Sequence, residues 1–452
     1  MLRHIQKKSF SYTKVMTIEN SNPNLFYFEY PEPQSKLNNI SSLANDSFSL
    51  SILSSLMTDI PLEKQSLSLF SDVNHNKEFS NFLNDRWKYY QSKFTSNGAY
   101  SDSVGNITVR KGVARFLEQR DSHESNWSQV YVLNGASTAY INFLVSIISG
   151  NTEAVLIPKP LNLESAMQIK SIKGSVISYE AIESKEGSQL EGIRSSLKEA
   201  KSKGLNPKIL TIVNPGTFTG NLLTSSEIKE IIELAYKEKL IIIADEKSQE
   251  VILGDNQFIS FKKILSEHPD NKIKNSVELI SINSISHSLT PLNMIGSYSE
   301  LINIDKDVFD QFLKLCSITL CGNCIGQISV DLQVRREEYL KSLSAPVRDL
   351  FDQEKEYNKQ MMAENFQQLS QVLNESKKFE VKAQNNSFYT MAKLISGDQN
   401  AKKIAKQIEE QVGISAEPGD TFGTPGYIRF DKFSQMTDDK KNALFNVCKL
   451  LD

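Results

Sequence analysis

Six short runs rich in Val, Ile and Leu alternate with helix-like segments between about residues 110 and 335 of this 452-residue chain. The apolar runs cover residues 129–134, 154–158, 174–179, 208–214, 240–245 and 277–283, and helical periodicity covers 138–148, 189–203 and 225–238. Strands that are apolar on both faces and separated by helices form a mainly parallel sheet covered on both sides. The sequence therefore predicts an α/β fold with one large domain of this kind.

The pattern changes on both sides of this region. Helix-like segments lie near residues 44–57 and 77–95, and a long charged helix is predicted over 348–376, ahead of a smaller α+β portion. We expect a second, smaller α+β domain built from both termini. The predicted divisions are a leader at 1–18, an N-terminal segment with part of the small domain at 19–112, the large domain at 113–340 and the C-terminal small domain at 341–452.

Composition argues against several classes of protein. A formal net charge of -3 argues against binding to a polyanion through bulk charge, so we predict no nucleic-acid partner. Four cysteines are too few for a disulfide-stapled secreted scaffold, and Cys321 and Cys324 lack the second pair of a zinc site, so we predict no metal. No apolar run approaches the roughly 20 residues of a membrane span, so no transmembrane segment is predicted.

Charge is uneven only at the start of the chain. Residues 1–18 are basic, rich in hydroxyl groups and free of acidic residues, a composition typical of a mitochondrial import sequence. The alternative is a frayed basic terminus with no targeting role. We expect a mitochondrial protein, in the matrix or on the matrix side of an inner-membrane complex.

Small and polar residues follow several of the predicted strands. Gly135, Ala136 and Ser137 follow the first strand and open a helix, whose backbone N–H groups can bind phosphate. Asp245 ends the fifth strand and Ser284 follows the sixth. Ligands of such sheets bind at the carboxyl ends of the strands, which favours a site here. The alternative is structural, with Ser137 as a helix N-cap and Asp245 satisfying backbone groups.

Longer motifs carry a family resemblance. Residues 98–121 are similar to GAYS-x-S-x-G followed by R-x-x-VARYIERRD, 207–220 to PKVLxIINPGNPTG, 238–250 to EKLFLLADEVYQD and 413–423 to GICVVPGSGFG. With these motifs in this order, the chain resembles the class I/II pyridoxal-phosphate aminotransferases, most closely the alanine aminotransferase branch. The resemblance implies the fold type I architecture and a dimer with active sites at the subunit interface.

Several residues depart from that family's pattern. His287 stands where the family has the lysine that forms an imine with the cofactor, and imidazole cannot form that bond. Met294 or Ile295 stands where an arginine grips the cofactor phosphate. The other departures at cofactor contacts are Thr217 for asparagine, Phe218 for proline, Ser248 for tyrosine and Asn162 for a stacking aromatic residue.

Other residues match the family. The matching positions at the cofactor site are Tyr100, Gly135, Ala136, Ser137, Asp245 and Ser284. The resemblance implies that Asp245 pairs with the pyridinium nitrogen and that Arg429 holds the substrate carboxylate. For Arg429 the alternative is an ion pair at the domain junction.

From the lost residues we expect a catalytically inactive homologue that binds no cofactor and serves as an accessory subunit of a mitochondrial assembly such as a respiratory-chain complex. The expected partners are other subunits of that assembly, a second copy of the chain, or an active paralogue to which Tyr100 contributes. The alternative is a pyridoxal-phosphate-dependent aminotransferase or lyase-type enzyme in which His287 replaces the lysine and acts as a base. His287 also has a structural interpretation.

Overall fold

The computed structural model describes residues 73–94, 100–181, 188–253, 256–289, 295–381, 386–432 and 435–450. The predicted leader at 1–18, the predicted helix at 44–57 and Met294 lie outside these residues. The strands are β1 Val130–Leu133, β2 Glu153–Lys159, β3 Ser175–Glu180, β4 Asn206–Val213, β5 Ile241–Asp245, β6 Leu279–Ser284, β7 Ser297–Ile302, β8 Phe379–Val381, β9 Tyr389–Leu394, β10 Ala416–Pro418 and β11 Tyr427–Asp431.

The helices of the first half of the chain are α1 Val73–Lys93, α2 Ile107–Asp121, α3 Ala136–Ile147, α4 Leu163–Ser171, α5 Ser188–Ser202 and α6 Ser225–Glu238. Those of the second half are α7 Phe261–Ser266, α8 Asn271–Ser276, α9 Lys306–Thr319, α10 Cys324–Val334, α11 Arg336–Leu340, α12 Ala345–Glu375, α13 Ala401–Val412 and α14 Asp438–Lys449. No helix among the described residues is both long and apolar enough to cross a membrane.

Seven strands form one mainly parallel sheet in the order β1-β7-β6-β5-β4-β2-β3. The strand β7 pairs antiparallel with both β1 and β6, whereas the remaining neighbours pair in parallel. Because six strands share one direction, their carboxyl ends lie along the same edge of the sheet. This confirms the predicted α/β fold class.

Both faces of the large sheet are covered, as its apolar runs predict. Along β5, Ile242 and Ala244 pack with residues of α5, α6 and α7 on one face. Ile243 lies between them and packs on the opposite face with Phe143 of α3 and Phe312 of α9. Alternate side chains of a strand point to opposite faces, so a strand buried on both sides is apolar throughout.

A second sheet of four antiparallel strands has the order β10-β11-β9-β8. Its apolar face packs against α12, α13 and α14 through a core that includes Leu373, Phe379, Ile404 and Leu444. The long helix predicted at 348–376 is α12, and the C-terminal strands and helices form the α+β portion expected there. The exact domain boundaries stay a prediction.

Candidate functional site

A cavity opens at the carboxyl ends of β2, β4 and β5. With its open mouth included, it holds about 900 Å³ of empty space. The lining comprises Ala136, Ser137, Tyr140, Ile157, Pro158, Lys159, Pro160, Asn162, Ser165, Ala181, Gln189, Thr211, Val213, Gly216, Thr217, Phe218, Thr219, Asn221, Leu223, Asp245, Lys247 and Ile282. The residues after β1 and at the end of β5 that the sequence singled out, Ala136, Ser137 and Asp245, thus meet at this cavity, whereas Ser284 does not line it.

The first turn of α3 forms one wall of this cavity. Its N-cap is Gly135, at φ +88°, and no side chain caps the helix there. The interpretation of Ser137 as the N-cap is therefore wrong, because Ser137 lies inside the first turn and lines the cavity. A Cβ atom at position 135 would lie 3.1 Å from Cγ2 of Ile295. Any residue other than glycine would also have to adopt a backbone conformation that L-residues avoid. An uncapped helix N-terminus favours an anion.

Asp245 and Lys247 form an ion pair in the cavity. Nζ of Lys247 donates to Oδ2 of Asp245 at 2.6 Å, and the backbone N–H of Lys247 donates to Oδ1 at 3.3 Å. The two side chains are 16% and 10% exposed, so solvent screens this pair less than it screens a surface pair. Asp245 therefore holds a lysine of its own chain, in addition to satisfying one backbone N–H group.

His287 follows the end of β6, close enough to Asp245 and Lys247 to feel their charges, and it is not among the residues that line the cavity. Its ring is half-buried, lies 5.9 Å from the ring of Phe388, and has Nδ1 3.3 Å from Oγ of Ser286. Burial and the positive charge of Lys247 lower the pKa of His287 from 6.5 to about 4, against the opposing effect of Asp245. The imidazole is consequently neutral at physiological pH, with a nitrogen able to accept a proton.

Arg429 lies in the second sheet and is already paired. Its guanidinium forms an ion pair with Glu417, and both side chains are largely buried. Three aromatic rings surround the guanidinium carbon, with the centroids of Tyr389, Phe422 and Phe218 at 4.3, 4.7 and 5.4 Å. Phe218 also lines the cavity, which places the Arg429 group next to it. Arg429 thus forms an ion pair, as the alternative has it, but within the second sheet, with its register partner on β10.

The remaining predicted residues are distributed around this centre. Tyr100 is 74% exposed, and the hydroxyl of Ser284 contacts Ser286 at 2.8 Å. Asn162 lines the cavity and caps α4 by accepting from the N–H of Ser165. Ser248 is buried without lining the cavity.

Thr217 stands where the family has asparagine. It lines the cavity, and within the described residues its Oγ1 is buried without a hydrogen-bond partner. A buried hydroxyl left without a partner costs free energy, which a polar ligand in the cavity would recover. Thr217 is therefore suited to bind a ligand oxygen.

Lys247 and Glu417 are the site residues that the sequence reasoning missed. Both lie inside motifs that carry the family resemblance: Lys247 stands for the valine of ADEVYQ, and Glu417 for the second valine of GICVVPG. Each introduces a charge where the family pattern is apolar. That exchange of charge is the sequence signal by which both could have been found.

Comparison with known proteins establishes the family. The pattern of the family described as "Aminotransferase class I and II" matches residues 73–446. The chain belongs to the class I and II aminotransferases. It is 30% identical over 343 residues to a "Probable alanine aminotransferase, mitochondrial" of Dictyostelium discoideum, with 73% of this chain and 63% of that protein covered.

Two further relatives agree with this assignment. The "Alanine aminotransferase, mitochondrial" of Saccharomyces cerevisiae is 31% identical over 350 residues, covering 73% of this chain and 57% of that protein. "Glutamate--glyoxylate aminotransferase 1" of Arabidopsis thaliana is 34% identical over 253 residues, covering 55% and 52%. The chain thus spans less than two thirds of the length of these relatives.

Solved structures share the fold. An alanine aminotransferase from Pyrococcus furiosus matches with a TM-score of 0.67 at 17% identity, over 90% of this chain and 99% of that one. An aminotransferase from Escherichia coli matches with a TM-score of 0.65 at 16% identity, over 96% and 98%. These matches confirm the fold type I architecture expected from the motifs.

The comparisons overturn three expectations drawn from the lost residues. The expectation of a catalytically inactive accessory subunit is wrong, because relatives matching about three quarters of the chain are named as aminotransferases. The expectation that the chain is not an enzyme is wrong for the same reason. The expectation that no cofactor binds is also wrong, since membership of this pyridoxal-phosphate family implies one.

The cavity offers fitting groups for pyridoxal phosphate in spite of the departures. The α3 terminus offers N–H groups for a phosphate dianion, and Thr217 offers a buried hydroxyl in need of a partner. A carboxylate has about four acceptor positions, of which Lys247 uses two at Asp245, so this carboxylate can accept from a further donor. An amine is present at Lys247, although position 287 has none.

Proposed function

We propose that the chain is a pyridoxal-phosphate-dependent enzyme that transfers amino groups. The observation that carries this proposal is the meeting, in one cavity at the carboxyl ends of the sheet, of an uncapped helix terminus, a partly buried carboxylate and an amine. Family membership over residues 73–446 supports it. The departures at His287 and Ile295 change which residues bind the cofactor and react with it. They leave the cavity and its charged groups in place.

The phosphate end of the cofactor is assigned to the first turn of α3. The backbone N–H groups near Ala136 and Ser137 would bind the phosphate without competition from a capping side chain, because no side chain caps this helix. Glycine at position 135 allows this turn to form, because its φ is positive and a Cβ atom there would lie 3.1 Å from Cγ2 of Ile295. Backbone dipoles thus replace part of what an arginine contributes in the family pattern.

Pyridoxal phosphate, when bound, supplies an aldehyde that condenses with amines and a ring that stabilises negative charge at the neighbouring carbon. The residues of this chain bind, orient and move protons around it. Thr217 donates to or accepts from a ligand oxygen through its unpartnered hydroxyl. His287 accepts a proton, because its lowered pKa keeps the ring neutral from about pH 4 upward.

We propose an amino acid as the amino donor, since two of the relatives described are named for alanine and one for glutamate. The substrate carboxylate would be held by Arg429, which the family resemblance assigns to this role. In this chain Glu417 already pairs with Arg429. The carboxylate of a substrate must therefore take the place of an internal carboxylate, which lowers the affinity for the substrate.

We further propose that the enzyme acts in the mitochondrial matrix as a dimer. The names of the Dictyostelium and Saccharomyces relatives, which specify mitochondria, and the basic composition of residues 1–18 support the location. The 74% exposure of Tyr100 supports the dimer, because the resemblance implies that this tyrosine contributes across a subunit interface.

The test uses the full chain incubated with pyridoxal phosphate and then desalted. We expect cofactor to remain bound in a fixed ratio to protein, seen as visible absorbance and as protein-bound phosphate. We also expect transfer of an amino group from alanine or glutamate to a 2-oxo acid. Chromatography of the products measures this transfer. A protein that retains no cofactor and transfers no amino group from either donor would show the proposal to be wrong.

A further inference from the structure

Two lysines are among the described residues that line the cavity, and they differ in their surroundings. Nζ of Lys159 lies 3.1 Å from Oε1 of Glu180, with 30% of the lysine side chain exposed. Lys247 is 10% exposed and pairs with Asp245. Lys247 is therefore the amine held inside the cavity, and Lys159 is the amine at its more exposed margin.

The backbone on both sides of Lys247 is fixed by buried contacts. The N–H of Glu246 donates to the carbonyl oxygen of Ile282 at 2.8 Å, and the Glu246 carboxylate accepts from the N–H of Phe261 and the hydroxyl of Ser281. Glu246 thus points into the core, whereas the next side chain, Lys247, lines the cavity. The position of Cα of Lys247 is set by the fold, and the flexible stem of the side chain lets Nζ reach other points of the cavity once it leaves Asp245.

We propose that Lys247 is the residue whose amine forms the imine with the aldehyde of pyridoxal phosphate, in place of a lysine at position 287. This inference rests on the proposed function and adds to it the identity of the reacting residue. Of the two lysines among the described residues that line the cavity, Lys247 is the one whose side chain is more enclosed by the protein. The imidazole at position 287 cannot form the bond.

The reaction balances without an oxidant or reductant. The Nζ ammonium passes one proton to a base and attacks the aldehyde carbon, and the carbonyl oxygen then leaves as water while a carbon–nitrogen double bond forms. When the imine nitrogen carries a proton, the net change is one ammonium and one aldehyde to one iminium and one water. The iminium keeps the positive charge and one N–H donor of the ammonium. For this reaction Nζ leaves Asp245, because the family resemblance pairs Asp245 with the pyridine nitrogen, which lies para to the carbon that bears the aldehyde.

Borohydride trapping tests this assignment without relying on activity. The full chain is incubated with pyridoxal phosphate, reduced with sodium borohydride, digested and mapped by mass spectrometry for the phosphopyridoxyl-lysine adduct. We expect one adduct per chain, on Lys247. Mapping in the unaltered chain gives an answer even where a variant folds poorly.

Two matched variants complete the design. Lys247→Arg keeps a positive charge for Asp245 but cannot form an imine, so we expect loss of the adduct while the protein stays folded. Lys159→Arg makes the same change at the other cavity lysine and should leave the adduct on Lys247. An adduct on Lys159 or scattered over surface lysines, or a Lys247→Arg protein that is trapped as before, would overturn the inference.

The failure of this inference can be told apart from the failure of the proposed function. If the desalted chain retains pyridoxal phosphate but borohydride fixes none of it to Lys247, the inference is wrong and the proposed function stands. If the chain retains no pyridoxal phosphate at all, both are wrong. In the first case Lys247 serves only to neutralise Asp245.

Discussion

Glu417 and Arg429 lie directly opposite each other on the neighbouring antiparallel strands β10 and β11, and their side chains form an ion pair. The pair is packed among the rings of Tyr389, Phe422 and Phe218. In this low-exposure setting a charged hydrogen bond is stronger than on the surface. The arginine that the family resemblance assigns to the substrate carboxylate thus binds a carboxylate of its own chain.

Replacing Glu417 should therefore raise the affinity for carboxylate ligands. We expect Glu417→Gln to bind 2-oxoglutarate and alanine about ten times more tightly or better, because a charged hydrogen bond that competes for Arg429 contributes roughly 1.5–3 kcal/mol. Isothermal titration of the cofactor-loaded chain measures this. The control is Glu380→Gln on the exposed side of β8, which should leave the affinity unchanged. Equal affinities in the two variants would mean that Glu417 does not compete.

Gly135 should determine the preference for a phosphorylated ligand. Alanine at this position places a residue in a region that costs about 1–3 kcal/mol and brings a Cβ atom 3.1 Å from Ile295, so the first turn of α3 must shift. We expect Gly135→Ala to weaken the binding of pyridoxal phosphate while the weaker binding of pyridoxal, which has no phosphate, changes little. Fluorescence titration with both compounds gives the ratio of their two dissociation constants.

The matched control for that variant is Gly204→Ala. Gly204 also has a positive φ, +71°, but a Cβ atom there would meet nothing within 4 Å. The change therefore adds backbone strain away from the cavity. Both variants should lose some thermal stability, and only Gly135→Ala should lose the preference for the phosphorylated compound. A similar loss of preference in both would point to general destabilisation.

His287 should affect proton transfer more than cofactor retention. Since burial holds its pKa near 4, the ring is already deprotonated at pH 6 to 8, and the rate of proton exchange should not follow a histidine titration in that range. We expect His287→Gln to slow exchange of the substrate α-proton for deuterium by roughly 10²–10⁴-fold, the usual contribution of a general base. Proton magnetic resonance of alanine in heavy water measures the rate.

His123→Gln is the control for this variant. His123 does not line the cavity, is partly exposed and contacts Glu267. The His123→Gln protein should exchange the substrate α-proton at the rate of the unaltered chain. If His287→Gln exchanges equally fast while retaining cofactor, the role of base belongs to another group, and His287 has the structural role that the sequence left open.

The sequence was sufficient to predict the strands that are apolar throughout. It was not sufficient to predict a strand whose polar side chains are buried by pairing with other strands. The run at 240–245 contains β5, because its apolar residues pack alternately on the two helix-covered faces of the sheet. The strand β7 was not predicted, since its sequence SYSELI is half polar. It is buried between β1 and β6, where Ser297 donates to the carbonyl oxygen of Leu133 and Glu300 pairs with Lys262. The partners of these buried polar groups lie far away in the sequence, so the sequence pattern of the strand alone does not reveal them.

The same distinction applies to the site. Motif comparison located Asp245, Arg429 and His287, because each stands at a fixed place in a conserved-looking pattern. It could not give their partners, since a partner is defined by distance in the folded chain. In the folded chain Asp245 pairs with Lys247 at 2.6 Å, and Arg429 lies opposite Glu417. Both residues that the motifs assign to ligand contacts therefore form internal ion pairs.

Lys432 should make the stability of the chain depend on pH. It is 1% exposed, and burial lowers its pKa from 10.5 to about 7. Below pH 7 both the folded and the unfolded chain hold the proton, and the cost of burying the charge is fully present. Between pH 7 and 10.5 the folded chain releases the proton that the unfolded chain keeps, so the free energy of unfolding rises with pH by up to about 1.4 kcal/mol per unit.

Lys432→Met removes this titration while keeping an unbranched side chain of comparable length. Its free energy of unfolding should exceed that of the unaltered chain at pH 6, and the difference should shrink steadily as the pH rises above 7. Urea unfolding followed by circular dichroism at pH 6, 7, 8 and 9 measures the difference. Lys402→Met, at an exposed position of α13, is the control and should give a pH-independent offset. A constant difference for Lys432→Met as well would mean that the Lys432 ammonium stays charged in the folded chain across this range.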